Sequence, residues 1–324
     1  MKLRIWCNND FGPNDHESLQ LLRERTASHQ LLIFGEKEGG LTGEPRQALQ
    51  HSDVAFGYPD PQAIVASDSV RWVQLNSAGY TNYDVETIKQ ALRTRGTVMS
   101  NSSSVYDEPC AQHLVAMMMS LARNLPGALD NQRESKSWPM QELRAHSPLL
   151  NGQTVLILGF GSIARRVAEL LQPLHMDLMA VRRAVAGDEP IPVIEVSRVD
   201  ELLPRADHVL NILPANDETR HFLNAERFDK LKNGAIVYNI GRGVTLDQEA
   251  LIRSLKSGKV KAAYLDVTDP EPLAPDDPLW TAPNCFITPH TAGGHTNEKE
   301  RQVKHFLNNL QRFENNEPLI NRVL

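Results

Sequence analysis

The 324-residue chain is 41% apolar and sets 34 Lys and Arg against 40 Asp and Glu, a formal charge of −6. Such a length exceeds what one hydrophobic core serves and predicts two domains, and ordinary apolar content excludes the disordered and collagen-like classes. The charges are intermingled, with no basic stripe for a phosphate backbone, and no apolar run approaches the roughly 18 residues of a membrane span, which argues against nucleic acid and membrane as partners.

The first residues turn polar too early for a signal peptide, so an unexported, cytoplasmic protein is expected. Cys7, Cys110 and Cys285 are far apart and lack metal-ligand spacing, which suits reduced thiols in a reducing compartment and predicts no metal. From the N-terminus, β-type runs over 3–7, 31–34, 54–56, 72–75 and 97–99 alternate with helical stretches over 17–25 and 85–92. That rhythm predicts a parallel sheet covered by helices. Asp107, Glu108 and Pro109 read as a helix start, an acidic cap with proline in the first turn, leading into an apolar helix over 110–123 that should be buried at the domain junction. Its run Met117-Met118-Met119 suits core packing or a subunit interface. A second series of strands follows over 154–158, 178–181, 208–213, 235–239, 262–266 and 285–288. The closing stretch over 298–313 is an amphipathic helix with no strand after it, expected to cross back onto the first domain. The expected fold class is α/β, two doubly wound parallel-sheet domains: a substrate domain of 1–100 plus 295–324 and a dinucleotide-binding domain of 101–294.

The strand over 154–158 runs into Gly159-Phe160-Gly161-Ser162-Ile163-Ala164 and then a helix. Any tight β-α turn can match such a pattern, but strand before and helix after are the context a dinucleotide site requires. Gly159 permits the turn, Gly161 lets the backbone approach a pyrophosphate, and the amides of the helix start face it with partial positive charge. Ala164 takes the place of the third glycine. The strand over 177–181 should end on an acid for the ribose 2′-hydroxyl of NAD, yet Arg182 and Arg183 stand there and the next acid is Asp188. Paired guanidinium groups suit a 2′-phosphate, so NADP is favoured and NAD stays possible.

Three further motifs sit at strand ends of the second series: Tyr238-Asn239-Ile240-Gly241-Arg242-Gly243, Leu265-Asp266-Val267-Thr268-Asp269-Pro270-Glu271-Pro272, and Ile287-Thr288-Pro289-His290-Thr291-Ala292-Gly293-Gly294. With the glycine turn, these four ordered motifs resemble the D-isomer-specific 2-hydroxyacid dehydrogenase family. The resemblance covers essentially the whole chain and is strongest over 110–294. It implies two flavodoxin-like or Rossmann-like domains with the active site in the cleft between them, and a homodimer.

Reducing a 2-oxo acid needs a hydride on carbon, a proton on oxygen and a cation for the carboxylate. Arg242 can bridge carboxylate and carbonyl oxygen, and its flanking Gly241 and Gly243 favour the sharp turn of a site. His290 can supply the proton, and Glu271 can orient its ring. Any one of these residues is more often a surface ion pair or a loop residue, but Arg242, Glu271 and His290 match the family's catalytic trio residue for residue. The resemblance further implies that Asp266 accepts from the nicotinamide carboxamide and that Leu213, Pro214, Ile240, Gly241, Ala292 and Gly293 lie along the nicotinamide side. It places Ser77, Ala78 and Gly79 at the substrate carboxylate, where Gly79 allows close backbone approach. Two departures stand out. Tyr80-Thr81 replaces a hydrophobic residue and Asp, which bears on side-chain specificity, and Gln112 replaces a Glu before His113.

The leading reading is an NADP-preferring reductase of a small 2-oxo acid such as glyoxylate or hydroxypyruvate. An NAD-dependent sibling with another acid is the nearer alternative, and the Arg, Glu, His set argues against formate. A dinucleotide-sensing binding protein, similar to corepressors of this fold, is the alternative of a different class.

Overall fold

A computed structural model describes residues 2–35, 43–185 and 187–324, which divide into two compact units, Met1–Tyr106 with Gly294–Leu324 and Asp107–Gly293. The first unit holds β1 (Arg4–Cys7), β2 (Gln30–Ile33), β3 (Val54–Gly57), β4 (Trp72–Leu75) and β5 (Val98–Ser100), all parallel in the order β2-β1-β3-β4-β5. Strand β3 is buried on both faces, which is why it reads as a continuous apolar run and not as an alternating one, while the equally buried β4 carries one polar residue, Gln74, whose Nε2 donates to the Leu75 carbonyl and to Ser102 Oγ. One face is covered by the helix Glu298–Glu314, whose apolar stripe Val303, Phe306 and Leu310 enters the core. There Phe306 stacks on Phe56 with ring centroids 4.2 Å apart and on Trp72 at 5.4 Å.

The second unit holds β6 (Thr154–Leu158), β7 (Asp177–Arg182), β8 (Val193–Glu195), β9 (His208–Asn211), β10 (Ala235–Asn239), β11 (Val260–Leu265) and β12 (Cys285–Ile287). Its seven strands are parallel in the order β12-β11-β10-β9-β6-β7-β8, the Rossmann arrangement. Strand order reverses between β6 and β9, and an open α/β sheet binds its ligands outside the carboxyl ends of the strands at that point. The two parallel α/β sheets are those read from the alternation. Strand β8 was not foreseen: it is three residues long, lies at the sheet edge and follows Pro190 and Pro192, where proline is tolerated because no ladder donor is needed.

The helix expected to begin at Asp107 begins four residues earlier, as Ser103–Ala122, with Pro109 inside it. Asn101 supplies the start, its Oδ1 accepting from the Ser103 amide at 3.2 Å and the Ser103 hydroxyl at 2.8 Å. Asp107 instead accepts from the adjacent Glu108 amide. Two cap-like signals lay in series, and the upstream one starts the helix. The three cysteines are free, and among the described residues no helix is long and apolar enough to cross a membrane.

Candidate active site

At the switch point, β6 leads into Gly159, whose φ of 88° lies in the left-handed region and whose missing side chain lets the Ile212 carbonyl approach. A Cβ there would sit 3.2 Å from that oxygen. Gly161 has ordinary extended torsions, and a Cβ on it would meet nothing within 4 Å, so the space before it is open. No side chain caps the helix Ser162–Leu171, and the amides of Ser162 and Ile163 have no acceptor among the described residues. The turn thus offers unpaired donors and room in front of them, which is what a pyrophosphate needs.

Strands β9 and β10 both end on a buried asparagine, and these two residues build the next loops. Asn211 takes the Leu213 amide on Oδ1 and donates to Thr245 Oγ1 at 2.7 Å. Asn239 takes the Gly241 amide on Oδ1 and donates to the Arg242 carbonyl. Gly241 and Gly243 are required by close backbone approach. A Cβ on Gly241 would lie 2.6 Å from the Leu213 carbonyl oxygen, and one on Gly243 would collide with the Thr268 carbonyl. Their φ values are not the reason: Arg242 between them is extended, at φ −146°. Its Nη1 donates to the Gly241 carbonyl at 2.6 Å, and no carboxylate pairs with it among the described residues. A half-buried guanidinium without a counter-charge is a site for an anion.

His290 lies in the loop after β12 at φ 52°, and its amide donates to the Asp266 carbonyl at 2.9 Å. Its Nδ1 is 2.8 Å from Glu271 Oε2, while Glu271 Oε1 accepts from the Thr268 amide at 3.1 Å. A carboxylate only accepts, so Nδ1 carries the proton and Nε2 is left to exchange one with a ligand. The ring is about half exposed, beside a cavity of about 400 Å³ lined by Asp266, Thr268, Leu273, Trp280 and Ile287. Asp266 itself is buried, with Oδ1 accepting from Thr288 Oγ1 and the Thr291 amide and Oδ2 from the Ala292 amide. Three acceptor positions of about four are filled, and one remains for a further donor. Leu213, Ile240 and Ala292 are buried around these loops, and the Pro214 carbonyl accepts from Thr219 Oγ1.

In the first unit, the loop after β4 has its carbonyls tied down. Asn76 accepts from Tyr106 Oη, Ser77 from the Ser102 amide, Ala78 from Asn101 Nδ2 and Gly79 from Ser77 Oγ. The amides of Ser77, Ala78 and Gly79 have no acceptor among the described residues. Three consecutive amides are thus left available as donors.

Residues 115–292 match the sequence profile described as D-isomer specific 2-hydroxyacid dehydrogenase, NAD binding domain. The chain belongs to this family. Glyoxylate/hydroxypyruvate reductase B of Klebsiella pneumoniae strain 342 is 31% identical over 282 residues, 86% of this chain and 81% of that protein. Glyoxylate reductase of Korarchaeum cryptofilum is 31% identical over 264 residues, 80% of this chain and 77% of its own. A D-isomer specific 2-hydroxyacid dehydrogenase from Xanthobacter autotrophicus Py2, solved with NADPH and MES, shares the fold at a TM-score of 0.82 and 23% identity, covering 100% of this chain and 98% of that one. This dehydrogenase is therefore an NAD(P)-dependent oxidoreductase of 2-hydroxy and 2-oxo acids.

The 2-hydroxyacid dehydrogenase departs from the simple reading of its arginine pair. Arg182 is 3.4 Å from Glu189, whose side chain is only 3% exposed, and Arg183 pairs with Glu218 at 3.1 Å. Glu189 also accepts from the Gly187 amide. The acid missing from the end of β7 thus arrives seven residues later and faces Arg182. Sequence reasoning missed Glu189, Asn211 and Asn239. The only signal for the asparagines was a polar residue closing an apolar strand twice in succession.

Proposed function

We propose that the enzyme is an NADP-preferring reductase of a small 2-oxo acid, glyoxylate or hydroxypyruvate, to the corresponding 2-hydroxy acid. The observation that carries it is the unpaired Arg242 together with the His290–Glu271 pair at 2.8 Å. On this reading the unit containing Ser77, Ala78 and Gly79 is the substrate domain, and these amides hold the carboxylate. Arg242 holds the acid and polarises its carbonyl, and His290 Nε2 gives that oxygen a proton as Glu271 stabilises the imidazolium that made it available. The free amides of Ser162 and Ile163 and the open space before Gly161 fit the cofactor's pyrophosphate, and Phe160 lies in that turn. Bound NADPH supplies the hydride that C2 receives. Leu213, Pro214, Ile240, Gly241, Asp266, His290, Ala292 and Gly293 would hold its nicotinamide side, and the remaining acceptor position of Asp266 would be open to the carboxamide.

The exposed, adaptable Arg183 is the better partner for a 2′-phosphate, because Arg182 already faces a buried carboxylate. We also infer a homodimer in the cytoplasm. The apolar surface of Leu125, Leu129, Trp138 and Met140 supports the dimer, and three unpaired thiols, each raised to about 12 by burial, suit a reducing compartment. The test follows absorbance at 340 nm with NADPH and NADH against glyoxylate, hydroxypyruvate, pyruvate and longer 2-oxo acids, on wild type and Arg183→Ala. Faster oxidation of NADPH with the two-carbon or three-carbon acids, and a roughly tenfold loss confined to NADPH in the variant, are expected. No turnover with any acid while cofactor binds would overturn the reading; equal loss with both cofactors would overturn the arginine assignment.

A further inference from the structure

The carboxylate of Asp266 is 2% exposed, and a buried anion persists only where donors surround it. All three of its donors, the Thr288 hydroxyl at 2.6 Å and the amides of Thr291 at 2.9 Å and Ala292 at 3.0 Å, come from the loop that carries His290. The His290 amide is bound by the same residue's carbonyl. Asp266 is thus the anchor on which the left-handed His290 backbone is held.

Behind it runs a chain whose direction is forced. A carboxylate has no proton to give, so the Thr288 hydroxyl directs its single proton at Asp266 and can only accept from Tyr264 Oη, 2.5 Å away. Burial holds the Tyr264 phenol well above its ordinary value, so it stays protonated and donates to Thr288. The phenol oxygen must then accept from His113 Nε2, its other contact. His113 Nε2 also lies 3.4 Å from Thr288 Oγ1 and 4.0 Å from Asp266 Oδ1, so its positive end faces the buried charge from the helix Ser103–Ala122. Three elements, that helix, β11 and the end of β12, meet in one polar cluster inside an apolar sheet. Reversing any bond would turn a hydroxyl's lone pair toward the carboxylate, which a low-dielectric interior penalises.

We propose that Thr288 is a positioning residue for His290, acting through Asp266, and that Tyr264 and His113 set the direction of its hydroxyl. The proposal rests on the reading of His290 as the proton donor. A threonine is suited to the place because its hydroxyl accepts and donates at once, while valine has the same shape and can do neither.

The experiment compares Thr288→Val, Thr288→Ser, His290→Gln and the double variant Thr288→Val/His290→Gln in steady-state reduction of glyoxylate by NADPH. Thr288→Val is expected to lower kcat by at least tenfold with KM values for acid and cofactor within about twofold, and Thr288→Ser to restore kcat to within about threefold. In the His290→Gln background, the same change is expected to have no further effect on residual turnover. Unchanged kcat in Thr288→Val, or valine and serine equally impaired, would overturn the hydroxyl's role. A full additional loss in the double variant would show that the chain acts on something other than His290 and overturn the proposal. Undiminished turnover in His290→Gln alone would instead sink the proton-donor reading.

Discussion

The loops that follow β4 and β12 both leave the carboxyl end of a parallel strand, and they are built on opposite plans. After β4, the carbonyls of Asn76 to Gly79 are tied to side chains and backbone, and the amides of Ser77, Ala78 and Gly79 are left free. After β12, the amides of His290, Thr291 and Ala292 are all bound by Asp266, and the side chain of His290 is left free at Nε2. The first loop offers backbone donors and no titratable group; the second uses its backbone to aim one. A static charge on a substrate calls for fixed dipoles, whereas a proton that must come and go calls for an ionisable side chain held in one orientation.

That contrast can be broken from either side. The largest effect is expected from His290→Gln, which keeps an amide at the same place and removes the exchangeable proton. Turnover should fall by about 10²- to 10⁴-fold while NADPH binding, followed by fluorescence titration, stays within about twofold; near-normal turnover would take His290 out of the chemistry.

Next comes the interior of the same sheet. His208 on β9 is buried between Tyr238 Oη at 3.1 Å and Gln153 Oε1 at 2.7 Å, and burial lowers its pKa from 6.5 to about 4. Its folded value lies below its unfolded one, so the neutral ring's stability is fully present above pH 6.5. It is lost as pH falls from there toward 4, for a total of about 3 kcal/mol. Urea unfolding of wild type and His208→Gln at pH 7 and pH 4 should show the stability gap between them closing by about that amount. A gap independent of pH would mean the ring is not buried neutral.

The smallest effect is expected in the first loop. Ala78→Pro deletes one free amide, and a bond from a neutral donor to a carboxylate contributes about 1.5 to 3 kcal/mol. KM for the acid should rise roughly tenfold or more with kcat nearly unchanged and the melting temperature within a few degrees. A fall in kcat at constant KM would show that this loop, too, serves the chemical step and that the two plans are not distinct.

How far each loop could be read beforehand follows from the same difference. Arg242, Glu271 and His290 could be proposed from the sequence because their chemistry is carried by residue type, and four motifs in order narrowed the candidates. Gly241 and Gly243 were also legible as special positions, yet the reason differed: they admit the Leu213 and Thr268 carbonyls and do not bend the chain. The segment Ser77 to Gly79 could be named only through the family resemblance, since every residue has an amide and only the fold decides which ones are left without a partner.

Mostly hydrophobic runs of three to six residues, separated by helical stretches, determined the two parallel sheets, because a strand buried on both faces must be largely apolar. The glycine turn after β6 and the strand-end motifs were likewise present in local spacing. The tertiary structure alone decided that Glu189 faces Arg182, and that His113, Tyr264, Thr288 and Asp266 form one directed chain. These depend on pairings across 7 to 175 residues. Spacing along the chain governs a turn or a helix face, but a hydrogen bond between separate strands and a helix exists only once packing has brought its donor and acceptor within 3 Å or so.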